Sequence, residues 1–193
     1  VDVCHYSADP LKIGGLTEHT KGHVINGVMV PSHEWVEGFL DYYHLTGDER
    51  GLETAIGIGE NIMKLLDTPA YAVAGESNAR ETGWALRALT ALYIETGDEK
   101  YKAKCDRIVG YFEKWYDDYG CFAAPYTDNT LIHVGFMISV AVGSLMRYYR
   151  INKTDELKEL IMLAVDDILD NCMLDCGLFY YKELPSLARL GNN

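Results

Sequence analysis

The motif Thr-Gly-Asp-Glu occurs at residues 46–49 and again at 96–99, and the 50-residue offset constrains the fold more than any other feature. Each copy follows an apolar stretch ending in aromatics (Tyr42 and Tyr43; Tyr93) and precedes an amphipathic one. Gly47 and Gly97 suit the left-handed conformation that ends a helix, and Asp48 and Asp98 suit the cap of the next. Beyond the turn, Leu52, Ala55, Ile56, Gly59, Ile62, Met63 and Leu66 keep helical periodicity, as do Tyr101, Cys105, Ile108, Val109, Phe112 and Tyr116. A looser third copy runs from about His133 to Asn171, with INKTDEL (151–157) in place of the turn. The pattern predicts helical hairpins at about 32–66, 80–116 and 132–171, within a single domain spanning 1–193. Residues 1–30 read as a loop-rich opening segment, with GHVINGVMV (22–30) as a short extended piece, and 172–193 as a tail.

The two members of each hairpin differ. The second helices carry one apolar stripe and one charged face. LRALTALYI (86–94) and VGFMISVAVGSLMRYY (134–149) are apolar nearly all round, so they need cover on several sides. One-sided helices outside and all-round apolar helices inside make two layers, the pattern of an all-α α/α toroid or an arc of one. The links at 67–78 and 117–130 are long and rich in Gly, Tyr, Asn and Asp, the kind of loop on which sites are built.

Composition narrows the partners. A formal net charge of −12 opposes binding to nucleic acid or to an anionic membrane surface, both of which need clustered Lys and Arg. The 14 tyrosines and three tryptophans supply rings for stacking on sugars as well as for a core. Five cysteines form no zinc pattern and no dense disulfide framework, which favours free thiols, a reducing compartment and the cytoplasm. No signal peptide is visible, although the chain begins with Val1 and leaves open an upstream leader or segment.

SHEWVEGFLDYYHLTGDERGLETA (32–55) and RETGWALRALTALYIETGDEKY (80–101) resemble the hairpins of the six-hairpin glycosidase-like superfamily, α/α toroids that include glycoside hydrolases and polysaccharide lyases. HTKGHV (19–24) followed by SHEW is similar in particular to the toroidal domain of exo-acting rhamnogalacturonan lyase-like proteins. The resemblance covers roughly residues 17–170. A full toroid of six such hairpins takes roughly 300 residues. Three hairpins therefore imply a piece of a larger enzyme, or a half-toroid that pairs with a second copy.

In such a toroid the inner helices start at one mouth. His33, Glu34 and Glu37 then fall in the first turns of one inner helix, and Arg80, Glu81 and Trp84 at the start of the next, after Glu76 and Asn78; His133 opens the third. His33, Glu37 and Asp41 form an i, i+4, i+8 stripe whose upper part is expected to face a site, while Asp41 and His44 serve the fold. Simpler readings compete. Ser32 suits an N-cap, and Asn78 with Glu81 has capping-box spacing, so that Glu81 closes its own helix. Trp84 suits a core and His133 a satisfied core histidine. Arg80 at a helix start needs a carboxylate partner or an anionic ligand.

His33 and Glu37 lack the second histidine of HExxH, and GxSxG, GxGxxG and the phosphate-binding loop are absent, so no metal or cofactor is implied. Two chemistries stay open. Glycoside hydrolysis needs two carboxyl groups across the bond, which Glu34 or Glu37 with Glu76 or Glu81 would supply. Lyase chemistry on a uronate needs a His or Tyr base and a neutralising cation or amide: His33 or His133, Tyr126, Asn78 and Arg80. His19 and His23 fit either site, on an oligo- or polysaccharide. The surplus of carboxylates favours the hydrolase. The rival from another class is a non-catalytic helical scaffold for a protein partner. It predicts that these polar groups lie scattered rather than together.

Overall fold

The structure, a computed structural model, describes residues 3–16, 29–122, 124–125 and 131–181. The repeats become three consecutive pairs of helices: α1 (Glu37–Thr46) with α2 (Glu49–Leu66), α3 (Glu76–Thr96) with α4 (Glu99–Tyr119), and α5 (Gly135–Tyr149) with α6 (Asp155–Cys172). Single 3-10 turns at Pro31–His33 and Pro69–Tyr71 lead toward α1 and α3. A two-residue antiparallel ladder joins β1 (Ala124–Pro125) to β2 (Leu131–Ile132) just before α5.

The repeated turn is built identically twice. Gly47 and Gly97 end their helices at φ 70° and 68°, and each N–H donates over 2.8 Å to the carbonyl of Tyr43 or Tyr93. Asp48 and Asp98 accept from the backbone N–H of Arg50 and Lys100, 3.0 Å in both copies. Thr46 and Thr96 each accept from the following Asp N–H at 3.1 Å and donate back into the preceding helix. In the third pair Thr154 is the cap, accepting from Leu157 N–H at 3.2 Å.

Layering follows from which faces are apolar. α3 is the central inner helix, packed against α5, α4 and α2. Its Ala85, Leu86, Leu89 and Leu92 are fully buried, and α5 contributes Ile138, Ala141 and Leu145 to the same core. The two backbones approach closely at Gly83, where a Cβ would sit 3.0 Å from the Ala141 Cα. α2, α4 and α6 turn one apolar stripe inward and a charged face outward. The result is an all-α arc, half of an α/α toroid.

The inner helices are not equally covered. α5 leaves Phe136 and Met146 exposed, and α1 leaves Tyr42 and Leu45 exposed. The all-round apolar pattern predicts burial on every side. α3, with a neighbour on each flank, comes nearest to that demand, although Ile94 near its end is 63% exposed.

Candidate functional site

Pro31 sets the local geometry at the mouth. It starts the 3-10 turn, so His33 lies in that turn and Glu34 after it, and α1 begins only at Glu37. The expected helical stripe from His33 to Glu37 is therefore broken. α3, by contrast, begins at Glu76, which places Arg80, Glu81 and Trp84 in its second and third turns rather than at its start.

Glu81 joins the two elements. Its carboxylate accepts from Ser32 N–H at 2.7 Å, from Ser32 Oγ at 2.9 Å and from Arg80 Nη2 at 2.7 Å. Ser32 Oγ also lies 3.1 Å from His33 Nδ1. Both predicted caps are thus corrected. Ser32 donates to another helix, and Asn78 gives its amide to the carbonyls of Ala70 and Val73, at 3.0 and 2.6 Å. Arg80 has the carboxylate partner that its position demanded.

Glu34 is 1% exposed, and its carboxylate oxygens accept from Leu16 N–H at 2.9 and 3.2 Å. Burial pushes its carboxyl up to about 8 against the opposing pull of that hydrogen bond, so it is protonated at neutral pH. Asn61, on α2, holds the same segment by donating to the carbonyls of Leu11 and Ile13 at 2.7 and 3.1 Å. A Cβ on Gly15 would lie 3.0 Å from both Glu34 Oε1 and Asn61 Oδ1, so the segment is seated where two acceptors face a glycine. Burial and the nearby Glu81 and Glu34 charges raise the Tyr71 hydroxyl to about 12.

The third carboxylate is placed differently. Glu37 points to the concave side, where Arg87 Nε donates to it at 2.7 Å and Arg147 pairs with its other oxygen. Arg87 also lies over the Trp84 ring, 5.1 Å from its centroid, and Trp84 meets Trp35 at 6.3 Å. Trp35 in turn meets His33 at 6.1 Å and donates its indole N–H to the Ser32 carbonyl at 2.9 Å. Arg80, Glu81, Ser32, His33, Trp35, Trp84, Arg87, Glu37 and Arg147 therefore form one continuous chain of contacts.

A cavity of about 480 Å³ opens on this concave face, formed jointly by α1, α3 and α5. Glu37, Asp41 and His44 line it from α1, Arg87 and Glu95 from α3, Arg147 from α5 and Arg150 from the C-cap of α5. His44 Nε2 lies 2.7 Å from Glu95 Oε2. Asp41 and His44, expected to serve the fold, line this cavity, and the His44–Glu95 contact also ties α1 to α3. Trp35 lines a separate groove between α1 and α2, so the contact chain runs along more than one cleft.

Several predicted residues lie elsewhere. His133 is buried, with Nε2 3.1 Å from Asp167 Oδ2 on α6, as suits a core histidine. Glu76 is the first residue of α3, but its side chain lies outside the described residues, as do His19, His23 and Tyr126 entirely. Among the described residues no group of three His, Cys, Asp or Glu is placed to hold a metal, and no helix is long and apolar enough to cross a membrane.

Sequence reasoning missed Arg87, Arg147, Arg150 and Glu95. The repeat held the signal for the first. Glu37 and Arg87 are 50 residues apart, each nine before the Thr of its turn motif, so they occupy the same height on adjacent inner helices.

No protein-family profile matches the chain, and no curated protein matches it. Among solved structures it is similar to a GH76 alpha-mannanase from Bacteroides thetaiotaomicron, with a TM-score of 0.63 and 15% sequence identity. The match covers 90% of this chain and 50% of that one, so the chain spans half the length of the structure it matches. At that identity the likeness carries the fold alone: an all-α arc of three hairpins that matches half of an α/α toroid.

Proposed function

We propose that this arc is part of a carbohydrate-active enzyme that binds a glycan on its concave face and hydrolyses a glycosidic bond there. The observation that carries the reading is the shared cavity, to which all three inner helices bring charged side chains. Its volume of about 480 Å³ falls in the range of roughly 300–1,000 Å³ common for small-molecule sites. Carboxylates and guanidinium groups are the donors and acceptors that sugar hydroxyls engage. Trp84 packs under Arg87, which lines the cavity, and so supports the guanidinium that would meet the sugar. Hydrolysis needs one carboxyl to protonate the leaving oxygen and another to act as base or nucleophile. Glu37 and Asp41, one turn apart on α1 with Cβ atoms about 5–6 Å apart, supply that pair. Arg87 and Arg147 orient Glu37. Glu34 and Glu81, being buried and engaged with backbone, hold the mouth together.

The test is calorimetric titration and reducing-end release with α-mannan oligosaccharides, followed by a wider glycan panel. Binding that weakens in Trp84→Ala, with turnover reduced about 10²-fold or more in Glu37→Gln or Asp41→Asn, supports the reading. Absence of both binding and release across the panel rejects it.

A second reading, a lyase acting on uronate-containing glycans, has its own support. Arg87, Arg147 and Arg150 gather in one cavity of a chain whose net charge is −12, and a guanidinium fork matches a sugar carboxylate. Release of unsaturated, ultraviolet-absorbing products from uronate polymers, with no hydrolysis of neutral glycans, would select it.

A further inference from the structure

The hairpins repeat their mutual packing as well as their sequence. In the second hairpin, α3 and α4 form a groove containing Leu92 and Tyr101, and α2 of the preceding hairpin fills it. Leu92 lies against Gly59 so closely that a Cβ there would sit 2.2 Å from Leu92 Cδ1, and Tyr101 donates its hydroxyl to Glu60 at 3.3 Å. In the third hairpin Tyr148 and Leu157 stand at the matching positions counted from the cap, and Tyr148 donates to Asp106 on α4, about one helical turn before the position that matches Gly59. Leu92, Tyr101, Tyr148 and Leu157 are all at most 1% exposed.

Among the described residues the matching groove of the first hairpin is open. The 50-residue offset maps Leu92 and Tyr101 onto Tyr42 and Gly51, which line a cavity of about 760 Å³ between α1 and α2 with Trp35 and Phe39. Ala85 and Leu89, the counterparts of Trp35 and Phe39, are fully buried, whereas Trp35 is 41% and Tyr42 48% exposed. At the far end α6 is the last helix among the described residues. Counted from the cap residue, Val165 matches Gly59 and Met162 matches Asp106. Val165 and Met162 are 36% and 55% exposed, and Leu163 and Leu169 lie bare beside them.

We infer that the open groove of α1 and α2 receives α6 of a second copy of this chain, and that two copies close head to tail into a ring of six hairpins. Exposed apolar surface on both sides supports the exchange: Trp35 and Tyr42 at the groove, and Val165 and Met162 on α6. Within the chain an outer helix already packs against the following hairpin, α2 against the second and α4 against the third. The arc matches half of a toroid, so two such contacts related by a twofold axis close the ring and leave no free end. Closure also completes the wall around the concave cavity, of which one copy supplies half.

Light scattering on the chain at tens of micromolar tests this. The expected mass is about 43 kDa, twice the 21.7 kDa of one copy. Val165→Glu and Tyr42→Glu each place a carboxylate on one side of the contact at an exposed position. Both are expected to halve the mass with helical circular dichroism unchanged. A wild-type monomer, a mass beyond two copies, or a dimer that survives both substitutions would overturn the inference.

Discussion

Glu81 and Glu37 belong to the same mouth and look alike in sequence, yet the fold uses them in opposite ways. Glu81 is buried, and its oxygens are consumed by Ser32 and Arg80, where they tie the turn before α1 to α3. Glu37 is partly exposed on the concave face and holds two arginines from two other inner helices. One carboxylate is a fastener between elements and the other an element of a surface. The difference lies in how much water each retains, since an ion taken out of water must be repaid by fixed partners.

The largest effect expected from breaking this contrast is on stability at Glu81. Replacing it with Ala strands Ser32 N–H and the Arg80 guanidinium, which should cost about 3–5 kcal/mol in denaturant unfolding. A loss below about 1 kcal/mol would show that Glu81 is no fastener.

Glu34 sharpens the contrast through pH. Its carboxyl sits at about 8 in the fold against an ordinary 4.5, so the native state holds one more proton than the unfolded state between those values. The stability this contributes is fully present below about pH 4.5 and is lost as pH rises through about 8, at roughly 1 kcal/mol per unit. Glu34→Gln should flatten that slope in unfolding curves taken from pH 5 to 8. An unchanged slope would assign the proton uptake elsewhere.

The smallest stability effect belongs to Glu37. Glu37→Gln should change unfolding by about 1 kcal/mol or less, because its pairs with Arg87 and Arg147 are partly hydrated. Its glycan-dependent effect should be the larger one. A stability loss as great as that of Glu81→Ala would make Glu37 a fastener as well and weaken its candidacy for catalysis.

The legible part of this protein was local and periodic. The turn motif specified helix ends and caps residue by residue, and its repetition specified hairpins and two layers. The expected partner for Arg80 was also readable, since a cation near a helix start must be compensated. The capping box at Asn78 and Glu81 was misread because spacing alone does not reveal where a helix begins: α3 starts earlier, and both residues were then free to reach other elements. The place of Asp41 and His44 on the cavity wall was not legible, because a polar residue deep in a helix looks the same facing solvent or a concave wall. Arg147 left no readable mark, since it reaches Glu37 across 110 positions and lies outside the 50-residue register.

By itself, then, the sequence determined an all-α arc of hairpins, because caps and periodicity act within a few residues of the chain. Only the tertiary structure decided which carboxylates are buried and which face the cavity. Burial depends on the neighbours that each helix acquires, and those neighbours are distant in sequence.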